Sequence, residues 1–121
     1  MMLTEPIPFG SFLLSEANGY RSRENVTVIS GQKLVAGAVV GKITASSKFT
    51  EYDNGASDGS QAAAGILLGA VDASDGDMPG VLIARDAEVK KDTLTWKSGA
   101  DDTAKNAGIA DLAALGIIVR S

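Results

Sequence analysis

The chain has no cysteine and no histidine. Without cysteine there is no disulfide scaffold and no thiolate metal site. Without histidine the commonest general base and the commonest metal ligand are missing together, and a Ser-His-Asp triad is ruled out. Aromatics are scarce: Phe9, Phe12, Tyr20, Phe49, Tyr52 and Trp96 complete the set. Ala, Val, Ile and Leu must therefore fill the interior, and subunit association is a natural supplement to so small-featured a core. Cations are outnumbered, with a net charge of −4 and an isoelectric point near 4.7. Binding to phosphate backbones needs clustered cations, so no nucleic-acid partner is expected. The tightest pair, Lys90-Lys91, sits between Glu88 and Asp92 and reads as a solvated face. Long apolar runs are lacking too. Residues 62–71 make the longest, about half of the roughly 20 a spanning helix requires, so no membrane segment is expected. No Lys or Arg precedes Arg21, which leaves the N-terminus without the cationic start of a signal peptide.

What is present points to one β-rich domain. A length of 121 residues fits a single core. Residues 26–29 are β-branched, and residues 34–43 suggest a strand bent at Gly37 and Gly41. Residues 49–52 alternate as a half-buried strand does. Residues 53–59, Asp-Asn-Gly-Ala-Ser-Asp-Gly, form the strongest turn signal in the chain, because Asn-Gly and Asp-Gly accept positive φ. Residues 63–71 read as one buried strand, since two internal glycines argue against helix. Residues 81–84, 87–89 and 93–96 extend the sheet. One helix is expected: Asp101, Asp102 and Thr103 offer caps, and Ala104, Ile109, Leu112, Ala113 and Leu115 recur at helical spacing. Gly116 then stands where a C′ glycine ends a helix. Residues 117–119 close the chain as a short strand.

The first 25 residues differ in character. Pro6 and Pro8 bracket Ile7 and disfavour regular structure. Ile7, Phe9, Phe12, Leu13 and Leu14 then offer apolar anchors ahead of a polar tether. These five are the candidate partner-binding residues, on an arm spanning 1–25 that precedes a domain spanning 26–121.

No constellation supports catalysis. Asp53, Asp58, Asp72, Asp75 and Asp77 invite a calcium reading, but neither acidic loop has EF-hand spacing, and Asp is an ordinary turn residue. No metal and no cofactor are expected. A glycosidase needs two carboxylates across a cleft, usually with stacking aromatics, and nothing marks such a pair. A Ser-Lys dyad lacks its motif. The Asn25-Val26-Thr27 triplet is too short a pattern to carry a glycosylation site. A carrier domain of lipoyl or biotinyl type is the alternative; it would present Lys42 or Lys48 at a hairpin tip, and neither has the flanking context.

Two stretches place the chain among known proteins. One is the turn Tyr52-Asp53-Asn54-Gly55-Ala56-Ser57-Asp58-Gly59 running into Ala63-Ala64-Gly65-Ile66-Leu67. The other is Leu94-Thr95-Trp96, an acidic helix start and a final Ile117-Ile118-Val119. Together they resemble the head decoration proteins of lambda-like tailed phages. The resemblance implies a small β-barrel-like or sandwich domain with one C-terminal helix and an extended N-terminal arm, and a structural role without enzymatic activity. It also implies a homotrimer that binds the major capsid protein at three-fold sites outside the expanded head and braces the shell. The arm is expected to order on the coat by adding a strand to a neighbouring sheet. The location implied is the virion surface, with the host cytoplasm during assembly. The segment 26–41 resembles a branch of the family with extra β-structure ahead of the shared core.

Overall fold

The structure, a computed structural model, describes residues 13–16 and 22–120. Strands β1 (Leu13–Glu16), β2 (Arg23–Val28), β3 (Gln32–Leu34), β4 (Val39–Lys42), β5 (Phe49–Glu51), β6 (Gly65–Leu67), β7 (Val71–Ala73), β8 (Met78–Ile83) and β9 (Ala87–Lys90) precede one helix. That helix, α1 (Asp102–Ala114), leads into β10 (Ile117–Arg120). The fold is the mainly β class expected, with a five-stranded closed barrel in the order β2-β5-β4-β6-β8. A two-stranded ribbon, β3-β7, and a three-stranded sheet, β1-β9-β10, complete it.

Period-two alternation sorts the barrel's side chains into two cores. Val28, Phe49, Val40, Leu67 and Leu82, one from each barrel strand, belong to a single buried cluster with Leu34 and Val71 of the ribbon. They fill the barrel. Their sequence neighbours Val39, Ile66 and Ile83 belong to the second cluster, with Leu112, Ile117, Ala87 and Val89. That cluster lies between the barrel's outer wall and the layer of α1, β9 and β10. Strands β4 and β6 are therefore covered on both faces, which is why residues 63–71 read as a continuous apolar run.

That run is nevertheless divided. Strand β6 ends at Leu67, Leu68 and Gly69 bend the chain, and β7 starts at Val71 to pair with β3 instead of the barrel. Residues 34–43 divide likewise at Gly37, whose φ is 89°. Residues 93–96 contribute one bridge, Ala38 to Thr95, after a 3₁₀ turn at Lys91–Thr93. Pro79 sits inside β8 because its nitrogen points away from β2. Ala84 N–H donates to Ser22 O, and two-residue alternation then directs residues 78, 80 and 82 toward β2.

Helix α1 starts where the caps indicate: Asp101 accepts a hydrogen bond from Ala104 N–H at 2.8 Å. It ends at Gly116, with φ 85°. Its inner stripe is Ala104, Gly108 and Leu112, and Ile109 and Ala113 lie off it. The reason is aromatic. Trp96 and Tyr52 meet edge to face at 6.0 Å, and a Cβ at position 108 would come within 2.8 Å of the Trp96 ring. Tyr52 donates from its hydroxyl to Ala104 O at 2.8 Å. Burial, followed by the nearby Asp111 and Asp53 carboxylates, raises its pKa.

The barrel closes at a narrow seam. Parallel β2 and β5 share the Val28–Phe49 bridge, and Ile29 N–H donates to Phe49 O at 2.9 Å. Asp77 clasps that seam from the β7–β8 turn, accepting from Ser30 N–H at 2.8 Å and pairing with Lys48. The Lys48 hydrogen bond, and then that of Ser30, lowers the Asp77 pKa. The folded pKa lies below the unfolded one, so the clasp stabilises fully above the ordinary aspartate range of about 3.9 and fades as pH falls through the lower folded value. Asp77→Asn is expected to lower the melting temperature at neutral pH, and the gap to wild type should vanish in acid. A gap that stays constant from pH 7 to strongly acidic solution would refute the clasp.

Candidate functional site

Of the acidic residues that invite a metal reading, Asp53, Asp58 and Asp72 cap their own turns and Asp77 bridges two other loops. Asp58 accepts from Ser60 N–H and Oγ–H, at 3.0 and 2.6 Å. Asp72 takes the same pair of bonds from Ser74. These serine contacts, led by the hydroxyl in each case, lower both aspartate pKa values. Asp53 accepts from Gly55 N–H at 3.0 Å. Asp111, toward the C-terminal end of α1, accepts from Ala63 N–H at 3.0 Å and ties the helix to the segment leading into β6. Among the described residues no group of three His, Cys, Asp or Glu is placed to hold a metal ion. Lys48 is engaged with Asp77, and Lys42 ends β4 within the β4–β5 ladder, so neither projects from a hairpin tip as a carrier lysine would.

Of the candidate partner-binding residues, Ile7, Phe9 and Phe12 lie outside the described residues. Leu13 is half-buried and packs against the outer core, opposite Val89 in an antiparallel pairing of β1 with β9. The register moves by one between Leu13 and Ser15, where Leu14 forms a bulge. Within the span read as arm, then, residues 13–16 are docked as a strand, and β2 begins at Arg23. The sequence signal for this docking is slight: a four-residue Leu-Leu-Ser-Glu run has no alternation from which to choose a face.

A shallow trough runs along Lys42, Ala62, Ala63, Ala64, Ala84 and Leu115. Four large apolar side chains, Val35, Met78, Leu115 and Ile118, stand about two-fifths exposed. A smaller cleft lies between the 53–55 turn and the start of α1, bounded by Tyr52, Asp53, Asn54, Lys97 and Asp101. Shallow alanine-floored relief with scattered apolar points suits another protein's surface.

A small closed barrel, flanked by a three-stranded sheet on which the N-terminal strand β1 is docked against β9, defines a small β-barrel domain. The sequence model of the family described as bacteriophage lambda head decoration protein D matches residues 2–117. The chain belongs to that family. Membership assigns it a phage capsid decoration role, a structural function, and a place on the capsid surface of the virion. No curated protein matches the chain.

Proposed function

We propose that the chain forms a homotrimeric cap that binds the major capsid protein at three-fold sites on the expanded head and stabilises the shell, with no catalytic step. It would be made in the host cytoplasm and added there to maturing heads. The observation that carries this reading is the family match over residues 2–117. Support for association comes from the aromatic-poor cores and from Val35, Met78, Leu115 and Ile118 at the surface. Support for the arm as the coat-binding element comes from Ile7, Phe9 and Phe12 ahead of the docked β1, with Leu13 and Leu14 at the point where arm meets domain.

The mechanism is mass action. A cap that binds the intact shell and not the disrupted one stabilises it by RT ln(1 + [L]/Kd), about 4 kcal/mol per site at a thousandfold excess over Kd. Three arms on one trimer multiply weak individual contacts through effective concentration. Strand addition would supply main-chain hydrogen bonds, and alternate apolar side chains would fill pockets. Light scattering is expected to give three times the chain mass, and the protein should pellet with expanded shells and raise their disruption temperature. A monomer that leaves shell stability unchanged would overturn the proposal.

A further inference from the structure

The turn after Tyr52 holds a latent chemical event. Residues 53–56 form a β-turn closed by Ala56 N–H donating to Asp53 O at 3.0 Å, with Asn54 and Gly55 at its two central positions and both exposed. Neither has positive φ, so this Asn-Gly pair does not use the conformational freedom that makes the sequence a turn signal. It sits in a type I-like turn, which favours Asp at the first position. The open space around Gly55 is therefore not required by packing: a Cβ there would meet the Asp53 carboxylate alone, at 3.6 Å.

We propose that Asn54–Gly55 is a site of spontaneous deamidation and that the Asp53 carboxylate sets its rate by holding the attacking nitrogen. In the reaction the Gly55 backbone nitrogen loses its proton and attacks Asn54 Cγ. The Cγ–Nδ2 bond breaks and the amide leaves as ammonia, taking up a proton, so that a succinimide remains. Water then opens either carbonyl, giving aspartate or isoaspartate at position 54. Glycine at position 55 places no side chain in the path of ring closure. Asp53 opposes the first step twice over. It engages the Gly55 N–H directly, and its negative charge disfavours loss of that proton.

The product changes the surface in a defined way. A new carboxylate at 54 would stand beside Asp53 and Asp101 around the cleft at the start of α1, and the isoaspartate form adds a backbone carbon inside the turn that Ala56 N–H closes. Decoration domains of different age would then differ in charge at this cleft.

The test is peptide mapping by mass spectrometry of the full chain held at mildly alkaline pH and body temperature. A synthetic peptide covering residues 50–59 serves as the unrestrained reference. The folded chain is expected to convert at Asn54, more slowly than the peptide. Asp53→Ala should speed conversion severalfold, Asp53→Ser should fall between, since its hydroxyl caps Gly55 N–H without charge, and Gly55→Ala should slow it severalfold. Circular dichroism melting of each variant separates a local effect from loss of fold. The second Asn-Gly pair, Asn18-Gly19, lies outside the described residues and is resolved as its own peptide. An Asn54 that stays an amide after the reference peptide is fully converted would overturn the proposal. A folded Asp53→Ala chain that converts at the wild-type rate would overturn the role of Asp53.

Discussion

Gly59→Ala is expected to lower the melting temperature by on the order of ten degrees or more, one of the largest losses any single-methyl addition should cause here. Position 59 has φ +114°, and a Cβ there would meet the Thr44 hydroxyl oxygen and would lie 2.5 Å from Lys42 O and 2.8 Å from Thr44 N. Two of those three atoms are backbone, and Thr44 N–H is itself held by Asp58 O at 2.9 Å, so the neighbours cannot swing aside. Forcing the methyl in costs about 1–3 kcal/mol, and the backbone conformation adds about 1–3 kcal/mol for a residue with a side chain. The gain from stiffening the unfolded chain offsets less than about 1 kcal/mol. Against a total stability of about 5–15 kcal/mol, the remainder is large, and each kcal/mol moves the midpoint of a domain this size by several degrees. Gly55→Ala is the matched control, four residues earlier in the same loop, and should melt within about two degrees of wild type. Equal melting of the two variants, followed by circular dichroism, would show that the loop does not rest on β4 as described.

That close approach explains what was legible in the sequence and what was not. Residues 49–52, the turn at 53–59 and the helix between Asp101 and Gly116 announce themselves through local chemistry: alternation, Asx and glycine turns, a cap at each end. Local chemistry cannot show that Gly41 and Gly59 are the points where the long turn lies against β4, because their neighbours are Ser60 backbone in one case and Lys42 and Thr44 in the other. The same holds for Gly108, chosen by two rings that approach from residues 52 and 96. Asp77 reads as one more turn aspartate until Ser30 and Lys48 arrive beside it from two other loops. The candidate arm is read from character more than from position. Ile7 between two prolines and the apolar residues that follow suggest an arm, yet where such an arm gives way to docked strand depends on β9 accepting Leu13.

That boundary decides the final prediction, and two deletions separate its parts. Removing residues 2–12 is expected to leave the melting temperature unchanged and to weaken binding to expanded shells by two orders of magnitude or more. The proposed anchors it removes are Ile7, Phe9 and Phe12, whose full burial on a partner would contribute about 1.5–3 kcal/mol each as an upper estimate. In the proposed trimer the loss would be multiplied across three arms by the avidity of about 10²–10⁴ that linked sites confer. Removing residues 2–20 also takes away β1, uncovering the edge of β9 and the part of the outer core that Leu13 covers. This longer deletion is expected to melt several degrees lower as well as to lose binding. Sedimentation with shells and thermal melting of both proteins read the two effects apart. A 2–12 deletion that decorates shells as tightly as the full chain would move the coat contact off the arm and onto the folded domain, where the alanine-floored trough at Leu115 becomes the surface to test. A 2–20 deletion that melts like wild type would instead return residues 13–16 to the arm.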